Sequence, residues 1–322
     1  MAYEDSKYYA TAETLRETID QFGVAIIPNV LTDKECVDMV AGIWDFFEHI
    51  TQAWPVPISR TNEASWREFY KLYPLHSMLV QHWGIGHAQI SWDLRQNEKL
   101  AGIYAQLYNC PLEDLLVSFD GMSLNMPPET TRRGWNNQNT WYHTDQTYTD
   151  NEFCCLQSWV TGLDVRDGDA TLTFMEGSNR HHRECATQFN ITDKRNWYKL
   201  NAAQEQFYLA RGCAFKKIKC PRGSIVFWDS RNIHCGAEAM RTRAQPNFRA
   251  IVYLCYMPRQ MCTAANLRKK QKAFTDLRTT SHWPCNPKLF GKSPQTYGAE
   301  LPGTTPPSPP TLTELGRRLA GL

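Results

Sequence analysis

Two short stretches that lie far apart in the chain carry the residue types of a metal site. The first, 141–146, contains His143 and Asp145, and the second, 225–234, ends in His234. In an extended strand, residues i and i+2 point to the same face, so His143 and Asp145 can bind one ion together. Two imidazoles and one carboxylate form the ligand set of a non-haem Fe(II) oxygenase. The pattern therefore predicts an iron site made of His143, Asp145 and His234.

A histidine two residues before an acidic residue is a weak signal by itself. With 9 histidines and 33 acidic residues among 322, about one such pattern is expected by composition. The chain contains a second one, His182 with Glu184, in a charged stretch after the loop-like segment 176–180, where solvent exposure is the ordinary interpretation. The first pattern is preferred because its aromatic, strand-like setting can exclude water from a metal. His234 follows the turn-like segment 229–232, so we expect it where a strand ends.

A single arginine, Arg249, heads the apolar segment 249–256. Iron bound by two neutral imidazoles and one carboxylate keeps three open positions and a net positive charge, which suits a chelating 2-oxo acid and dioxygen. The far carboxylate of such a cosubstrate needs a partner, and guanidinium offers a planar fork that matches it. Arg249 is therefore predicted to bind the tail of 2-oxoglutarate. Without the metal pattern, a solvated arginine or a surface ion pair would be the better interpretation.

These segments and several others resemble the phytanoyl-CoA dioxygenase family of Fe(II)/2-oxoglutarate oxygenases. The similarity extends over roughly residues 14 to 257, and its specificity comes from the order and spacing of pieces that are each weak. The matching stretches are 23–31, 122–128, 141–146, 172–179, 223–234 and 248–250.

The resemblance implies a mainly β fold: a double-stranded β-helix (jelly roll, cupin-like) core with supporting helices on its N-terminal side and a C-terminal helical tail. It implies Fe(II), 2-oxoglutarate and O2 as cofactor and cosubstrates. The implied iron ligands are His143, Asp145 and His234, and Arg249 is implied on the 2-oxoglutarate carboxylate. Met122 and Trp159 fall where that family lines the cosubstrate pocket. Ordinary core packing is the alternative for these two, because large apolar residues are usually buried.

Composition and the turn signals agree with one domain over residues 1–300. A chain with 42% hydrophobic residues can bury a large core, and β-barrel-type folds with helical additions often reach this size undivided. The β-helix core is expected at about 114–257, because irregularly spaced turn signals separate the strand-like segments there. Residues 301–322 are expected to form a proline-rich linker and a short C-terminal helix.

The composition also bears on compartment and on cysteine chemistry. No run of 18 apolar residues is present, and residues 1–5 lack the basic start of a signal peptide, so a cytoplasmic protein without membrane partners is expected. The eleven cysteines include no Cys-x-x-Cys pair, which argues against a zinc ribbon and favours reduced, mostly buried thiols.

Local patterns predict the elements that must position these residues. A helix is expected to end at Gly23, with a strand over 24–30 after it, and Thr32 and Glu35 form a capping box for the next helix. The strand-like segments are 115–125, 141–148, 154–163, 171–175, 224–228 and 249–257.

Three regions of the sequence each allow two interpretations. Segment 54–95 is rich in Trp, Tyr and His, including His76, and either forms a lid over the active cleft or packs irregularly. The basic helix 263–278 either binds polyanions or presents a solvated face, the latter being favoured by a net charge of only +2. The helix at 312–319 docks on the body or on a neighbour.

The sequence favours a hydroxylase that acts on an unactivated C–H bond of a small molecule or an acyl substrate, with release of succinate and CO2. A halogenase is disfavoured because Asp145 fills the iron position that a halide would need. A nucleic-acid oxygenase and a non-catalytic jelly-roll binding module stay open as alternatives. Nothing in the sequence indicates the oligomeric state or the identity of the substrate.

Overall fold

Two antiparallel β-sheets pack against each other in the computed structural model, which describes residues 6–73, 79–134, 140–291 and 301–322. The strands in chain order are β1 Val24–Ile27, β2 Leu115–Val117, β3 Met122–Asn125, β4 His143–Thr144, β5 Leu156–Thr161, β6 Thr171–Met175, β7 Tyr198–Lys199, β8 Phe215–Lys217, β9 Ile225–Asp229, β10 His234–Ala237 and β11 Arg249–Pro258. One sheet has the order β1-β9-β5-β11-β2, with β3 also paired to β11, and the other has the order β7-β4-β10-β6-β8.

The first sheet is buried on both faces, which explains why its strands β9 and β11 are almost continuous apolar runs. On β9, Val226 and Trp228 pack in the layer between the sheets, where they meet Phe174 from β6. Their neighbours Ile225 and Phe227 point the other way, into a core shared with the helices. Apolar side chains therefore fill the space between the sheets except toward one end, where the polar residues lie.

Helices cover the outer face of the first sheet, and further helices follow the last strand in the chain. Their bounds are α1 Leu15–Phe22, α2 Asp33–Thr51, α3 Gln89–Arg95, α4 Glu98–Tyr108, α5 Pro128–Thr131, α6 His182–Gln188, α7 Ala202–Leu209, α8 Ala264–Thr275 and α9 Glu314–Ala320. The two N-terminal helices form as the sequence predicts. Gly23 ends α1 with φ of 79°, and Thr32 and Glu35 make the reciprocal capping box of α2.

The expected strand over 115–125 is wrong as a single element, because Gly121 separates β2 from β3. The backbone of Val80 pairs with Met122 through two hydrogen bonds of 3.0 and 3.3 Å. A Cβ at position 121 would lie 1.9 Å from the Val80 carbonyl oxygen, so only glycine fits this approach. The close contact brings the chain around residue 80 against the edge of the first sheet.

The predicted strand over 141–148 is also too long, since β4 contains only His143 and Thr144. After it, the amides of Asp145 and Gln146 both donate to the Ser230 carbonyl oxygen, which turns the chain away from the sheet. His234 follows the turn at the end of β9, as expected, and it is also the first residue of another strand, β10. The sequence pattern predicted the turn between β9 and β10, but it did not predict the short strand that follows this turn.

The basic helix α8 is less solvated than its composition predicts. Lys270 is fully buried, donates a hydrogen bond to the Val117 carbonyl oxygen, and has its Nζ 3.8 Å from the centre of the Phe119 ring. Lys269, one residue earlier, is exposed. The solvated-face interpretation is therefore wrong for Lys270, which packs the helix onto β2.

Buried Lys270 predicts an unusual dependence of stability on pH. Burial lowers its pKa to about 7, below the usual value of about 10.4 expected in the unfolded chain. Between these values the unfolded state binds more protons at Lys270, so the contribution of this residue to the free energy of unfolding should rise from pH 7 to pH 9, whereas the buried thiols, whose pKa is raised by burial, contribute a fall. The measurement is the urea midpoint at several pH values in this range.

In Lys270→Met this rise should disappear, and stability at pH 7 should increase by at least about 1 kcal/mol, because the desolvation of an ammonium group is removed. The matched control is Lys269→Met, which should keep the rise. A slope in Lys270→Met equal to that of the wild-type protein would contradict this account.

Residues 301–313 are extended, as the proline content predicts, and they lie against the domain along their length. The Trp54 indole donates to the Gly303 carbonyl oxygen at 3.1 Å, and the Thr305 amide donates to the Ile50 carbonyl oxygen at 3.0 Å. Helix α9 then buries Leu319 and Ala320. The C-terminal segment therefore lies across the N-terminal helices and packs against them. We call its extended part, residues 301–313, the strap.

The expectations about membrane-spanning helices and about the cysteines concern the whole chain and can be compared with the described residues. Among them, no helix combines the length and the apolar character that a membrane crossing needs. All eleven cysteines lie within the described part of the chain; they are free and most of them are buried, as predicted.

Candidate metal centre

The pairing of two strands brings His143 and His234 together. His143 on β4 lies directly opposite His234 on β10 in the antiparallel register, and their ring centres are 4.4 Å apart. Side chains of directly opposed residues share one face of a sheet, so both imidazoles point to the same side. The two histidines that the sequence pattern singled out therefore meet at the open end of the inner layer.

Asp145 lies beside the two histidines because backbone hydrogen bonds hold it next to the turn at Ser230. The Ser230 carbonyl oxygen accepts from the amides of Asp145 and Gln146, at 3.0 and 2.9 Å. In return, the Ser230 hydroxyl donates to the Gln146 side-chain oxygen at 2.7 Å. The Gln146 amide nitrogen donates to the carbonyl oxygens of Asp150 and Glu152. This buried network fixes the Asp145 backbone beside the turn that leads to β10.

The potential ligand atoms of the three residues all lie within 4.8 Å of one another. His143 Nε2 is 3.7 Å from Asp145 Oδ1, and His234 Nε2 is 3.1 Å from Asp145 Oδ2. Within the described residues, this is the cluster of histidine, cysteine and acidic side chains that is close enough to hold a metal ion. Its donor set of two nitrogens and one oxygen fits Fe(II).

Hydrogen bonds set the tautomer of both imidazoles. His143 Nδ1 lies 3.0 Å from the Trp141 carbonyl oxygen, and His234 Nδ1 lies 2.9 Å from the Asn232 carbonyl oxygen. A carbonyl oxygen can only accept, so each Nδ1 carries the proton and each Nε2 presents a lone pair to the shared space. This is the arrangement that metal-binding histidines use.

The electrostatics of the cluster favour the protonation states that bind a cation. Burial, together with the neighbouring His234, lowers the pKa of His143 to about 4, so its imidazole is neutral at pH 7. Burial alone would raise the pKa of Asp145, but the imidazoles of His282 and His143 hold it well below its usual range. A neutral imidazole and an ionised carboxylate need no proton release at neutral pH before they coordinate a metal.

Gln157 is a residue of the site that the sequence patterns did not indicate. It lies on β5, and its Nε2 donates to Asp145 Oδ2 at 2.9 Å. This bond holds one carboxylate oxygen and leaves Oδ1 for a metal. Nothing in the local sequence marks Gln157, because its contact depends on how β5 lies under the turn after β4.

Removal of this support should weaken metal binding without loss of the fold. In Gln157→Leu we expect Fe(II) affinity to fall by about 10- to 100-fold, the usual effect of losing an outer partner of a ligand. The measurement is an anaerobic Fe(II) titration by calorimetry. Ser158→Ala is the matched control, because Ser158 points to the opposite face of β5 and donates to the Leu254 carbonyl oxygen. Equal affinities for both variants would refute the role given to Gln157.

Arg249 lies at the start of β11, is buried, and lines the same cavity as the three ligands. Both of its terminal nitrogens lie 3.4 Å from the Tyr253 hydroxyl, and its guanidinium is 5.9 Å from the centre of the Trp159 ring. Among the described residues, no carboxylate pairs with it. A buried guanidinium without a counter-charge is costly, so this position fits an external carboxylate.

The cavity that contains these groups has a volume of about 740 Å³. Its wall includes His143, Asp145, His234 and Arg249 and many aromatic side chains. Met122 and Trp159 are not part of this wall. Met122 is in the core shared with the helices, whereas Trp159 lies in the inner layer beneath Arg249. The structure thus brings together four of the six residues predicted from the sequence.

The second His-x-acid pattern lies elsewhere and differs from the expectation of solvent exposure. His182 and Glu184 are on helix α6, and the His182 ring is buried and stacked on Tyr148 with centres 4.2 Å apart. Glu184 is at the surface in an ion pair with Arg211. On a helix, residues i and i+2 do not share a face, so this pattern cannot chelate one ion.

Segment 54–95 mostly packs, as the second interpretation predicted, and contributes little to the cavity. Trp54 and Phe69 are buried in the core, and His87 is buried against Phe119. In the described part of the segment, Leu79 and Gln81 reach the cavity wall. His76 lies outside the described residues.

Comparison with known proteins gives a fold and one curated relative. No protein-family model matches the chain. Ava biosynthesis cluster protein O of Aspergillus versicolor is 26% identical over 211 residues, which are 63% of this chain and 65% of that protein. The chain thus matches slightly less than two thirds of the relative's length.

Two solved structures illustrate the structural likeness. A protein of Salmonella typhimurium LT2 aligns with 97% of this chain and 83% of its own, with a TM-score of 0.59 and 12% identity. The epimerase SnoN, solved with Fe3+, alpha ketoglutarate and nogalamycin RO, aligns with 77% of this chain and 83% of its own, with a TM-score of 0.44 and 15% identity. The first of these shows a shared fold; the chemistry has to be argued from the site.

Proposed function

We propose that the chain is an Fe(II)- and 2-oxoglutarate-dependent oxygenase of the phytanoyl-CoA dioxygenase-like kind. Its reaction would hydroxylate an unactivated C–H bond of a small organic molecule. One observation carries this proposal: His143, Asp145 and His234 converge within 4.8 Å of one another, and buried Arg249 lines the same cavity. A ligand set with open positions, beside a guanidinium that pairs with no carboxylate of the described residues, suits a metal and a dicarboxylate together.

The order of the strands supports a double-stranded β-helix as the core. The eight strands β3, β4, β5, β6, β8, β9, β10 and β11 divide between the sheets as β3-β11-β5-β9 and β4-β10-β6-β8. The chain therefore crosses between the two sheets six times over these eight strands, as in a jelly roll. The proposed domain includes this core and the helices that cover it, over residues 1–300.

The strap and helix α9 belong to the same folded body in this proposal. Leu301, Leu312 and Leu315 pack against the main core, and α9 contacts β2 and α3. The C-terminal segment would thus stabilise the domain from outside and take no part in chemistry.

In the proposed mechanism, the chain's own residues provide positioning and a dry site. Bound iron with 2-oxoglutarate and O2 supplies the oxidising chemistry, in which the cosubstrate leaves as succinate and CO2 and one oxygen atom enters the substrate C–H bond. His143 and His234 present Nε2 lone pairs whose direction is fixed by their Nδ1 hydrogen bonds. Asp145 adds one negative charge, which would partly neutralise a divalent ion.

Arg249 anchors the remote carboxylate of the cosubstrate, and Tyr253 keeps the guanidinium in place. The inner layer beneath it, with Trp159 and Trp228, excludes water from that end of the cavity. In this proposal, one end of the cavity holds the cosubstrate and the rest is left for the substrate.

A small-molecule substrate is the partner that the observations favour. A volume of about 740 Å³ falls within the range of small-molecule sites, about 300–1,000 Å³. The matched relative is named as a member of a biosynthesis cluster, which agrees with such a substrate. The basic helix offers less to a nucleic acid than its sequence suggested, because Lys270 is buried.

The test of this function is formation of succinate from 2-oxoglutarate. Purified protein is incubated with Fe(II), ascorbate, 2-oxoglutarate and a metabolite extract in air, and succinate is quantified. We expect formation that requires both iron and oxygen and stops when a chelator is added. Succinate at the level of the chelated sample in every extract would contradict the proposal and favour the binding-module alternative.

A further inference from the structure

A second polar group lines the cavity and supplies none of the proposed metal ligands. It consists of Asp120, Gln81 and His282, all of which are on the cavity wall. Asp120 is almost fully buried, and its Oδ1 accepts from Gln81 Nε2 at 3.0 Å and from the Gly121 amide at 2.7 Å. The carboxylate is therefore held in one orientation by two donors on the same oxygen.

The fold itself brings His282 beside Asp120. The Thr280 amide donates to the Phe119 carbonyl oxygen at 2.9 Å, and the Phe119 amide donates to the Thr280 hydroxyl at 3.1 Å. This pairing joins the segment after α8 to the chain between β2 and β3. Asp120, one residue after Phe119, and His282, two residues after Thr280, then reach the same part of the wall.

Hydrogen-bonding capacity is left open at this group. Asp120 Oδ2 receives no hydrogen bond within the described residues, and His282 Nε2 is buried without a partner there. Buried polar atoms are nearly always hydrogen-bonded, so an open acceptor and an open ring nitrogen on a cavity wall point to a ligand or water. Arg95 supports the site from behind, since its guanidinium donates to the Asp120 carbonyl oxygen at 2.7 Å.

Flat aromatic side chains stand around the same cavity. Trp141, Trp197, Trp283 and Phe290 are on its wall, and the Trp197 ring lies 5.6 Å from the His143 ring at an angle of 35°. Trp197 is half exposed and has a positive φ of 74°, an unusual backbone state for a bulky residue. Aromatic walls of this kind favour a planar ring system by stacking.

We propose that Asp120 and His282 select the substrate: they bind an N–H or O–H donor that is attached to a planar ring system lying against the tryptophans. Asp120 Oδ2 accepts the donor, and the His282 ring completes the polar contact. This inference rests on the proposed function, because it takes the cavity as the substrate site. It deepens that function by giving the substrate a chemical class.

The sharpest variant is Asp120→Asn. The asparagine oxygen can still accept from Gln81 and Gly121, while the other position changes from an acceptor to an NH2 donor. The probes are indole, which has a ring N–H, and benzofuran, which has the same shape without it. Binding to the full chain loaded with Fe(II) and 2-oxoglutarate under argon is measured by calorimetry.

In the wild-type protein, we expect indole to bind about tenfold or more tightly than benzofuran, the usual effect of one hydrogen bond to a charged group. Asp120→Asn should remove this preference and leave Fe(II) and 2-oxoglutarate binding unchanged. His282→Ala should reduce it as an independent check. Asn286→Ala, at the exposed rim of the cavity, is the control and should keep the preference.

Equal affinities for the two probes, binding of neither, or an unchanged preference in Asp120→Asn would overturn the inference and indicate that water fills this polar group. Those outcomes differ from a failure of the proposed function. If the proposed function were wrong, the wild-type protein would fail to bind Fe(II) and 2-oxoglutarate at the loading step.

Discussion

Asp145→Ala is expected to bind Fe(II) more than about 100-fold more weakly than the wild-type protein and to form no succinate above background. Loss of an outer partner of a ligand already costs about 10- to 100-fold in metal affinity, and Asp145 is proposed as a ligand itself. It also provides the negative charge between His143 and His234, at 3.7 and 3.1 Å from their Nε2 atoms. The measurements are metal content after anaerobic loading and succinate formation.

The fold should survive this substitution. Its main cost is an unpaired Gln157 side chain, which amounts to about 1–3 kcal/mol for a buried donor, and circular dichroism should stay unchanged. Glu184→Ala is the matched control, because Glu184 has the same spacing from a histidine but lies on an exposed helix face. Retention of iron and of succinate formation in Asp145→Ala would disprove the assignment of this carboxylate.

Arg249→Ala is expected to separate cosubstrate binding from metal binding. The dissociation constant for 2-oxoglutarate should rise by about 30-fold to several thousand-fold, since removal of one partner of a buried charge pair costs about 2–5 kcal/mol. Fe(II) affinity should change little, because Arg249 contacts Tyr253 and none of the three metal-binding side chains. The measurement is 2-oxoglutarate binding to the iron-loaded protein under argon.

Arg249→Lys tests the planar fork separately from the charge. Lysine keeps the charge but cannot form two parallel hydrogen bonds, so an intermediate loss of about tenfold is expected. Arg222→Ala, which removes a surface arginine paired with Asp33, serves as the control. If 2-oxoglutarate affinity were unchanged in Arg249→Ala, the cosubstrate would have to bind elsewhere.

The part of the site that could be predicted from the sequence depends on short-range geometry. The spacing of His143 and Asp145 places both on one face of any extended segment. His234 and Arg249 could be found because each adjoins an apolar strand that the pattern already marks. Helix ends were equally local: Gly23 and the Thr32 capping box act within a few residues.

The remainder depends on long-range pairing, which leaves no local signal. Gln157 reaches Asp145 only because β5 lies beneath the turn after β4. His282 reaches Asp120 through the pairing of Thr280 with Phe119. His282 also lies beyond residues 14 to 257, the part that carries the family resemblance.

Strand parity explains one expectation that the cavity does not bear out. Met122 on β3 pairs with Val252 on β11, and both side chains lie in the core shared with the helices. The opposite face belongs to residues an odd number of positions from Val252, such as Ile251 and Arg249. A shift of one residue moves a side chain to the other side of a sheet, and the strand pattern did not reveal the interruption at Gly121 that sets which residues share a face.

The most direct test of the account is a spectroscopic titration of the wild-type protein with Fe(II) under argon, with 2-oxoglutarate present. One iron per chain should bind, and a visible charge-transfer band should appear that needs both iron and 2-oxoglutarate, is absent in Asp145→Ala, and in Arg249→Ala requires much more 2-oxoglutarate. Iron that binds without a band dependent on 2-oxoglutarate, or a band that persists in Asp145→Ala, would contradict a centre built from His143, Asp145, His234 and Arg249.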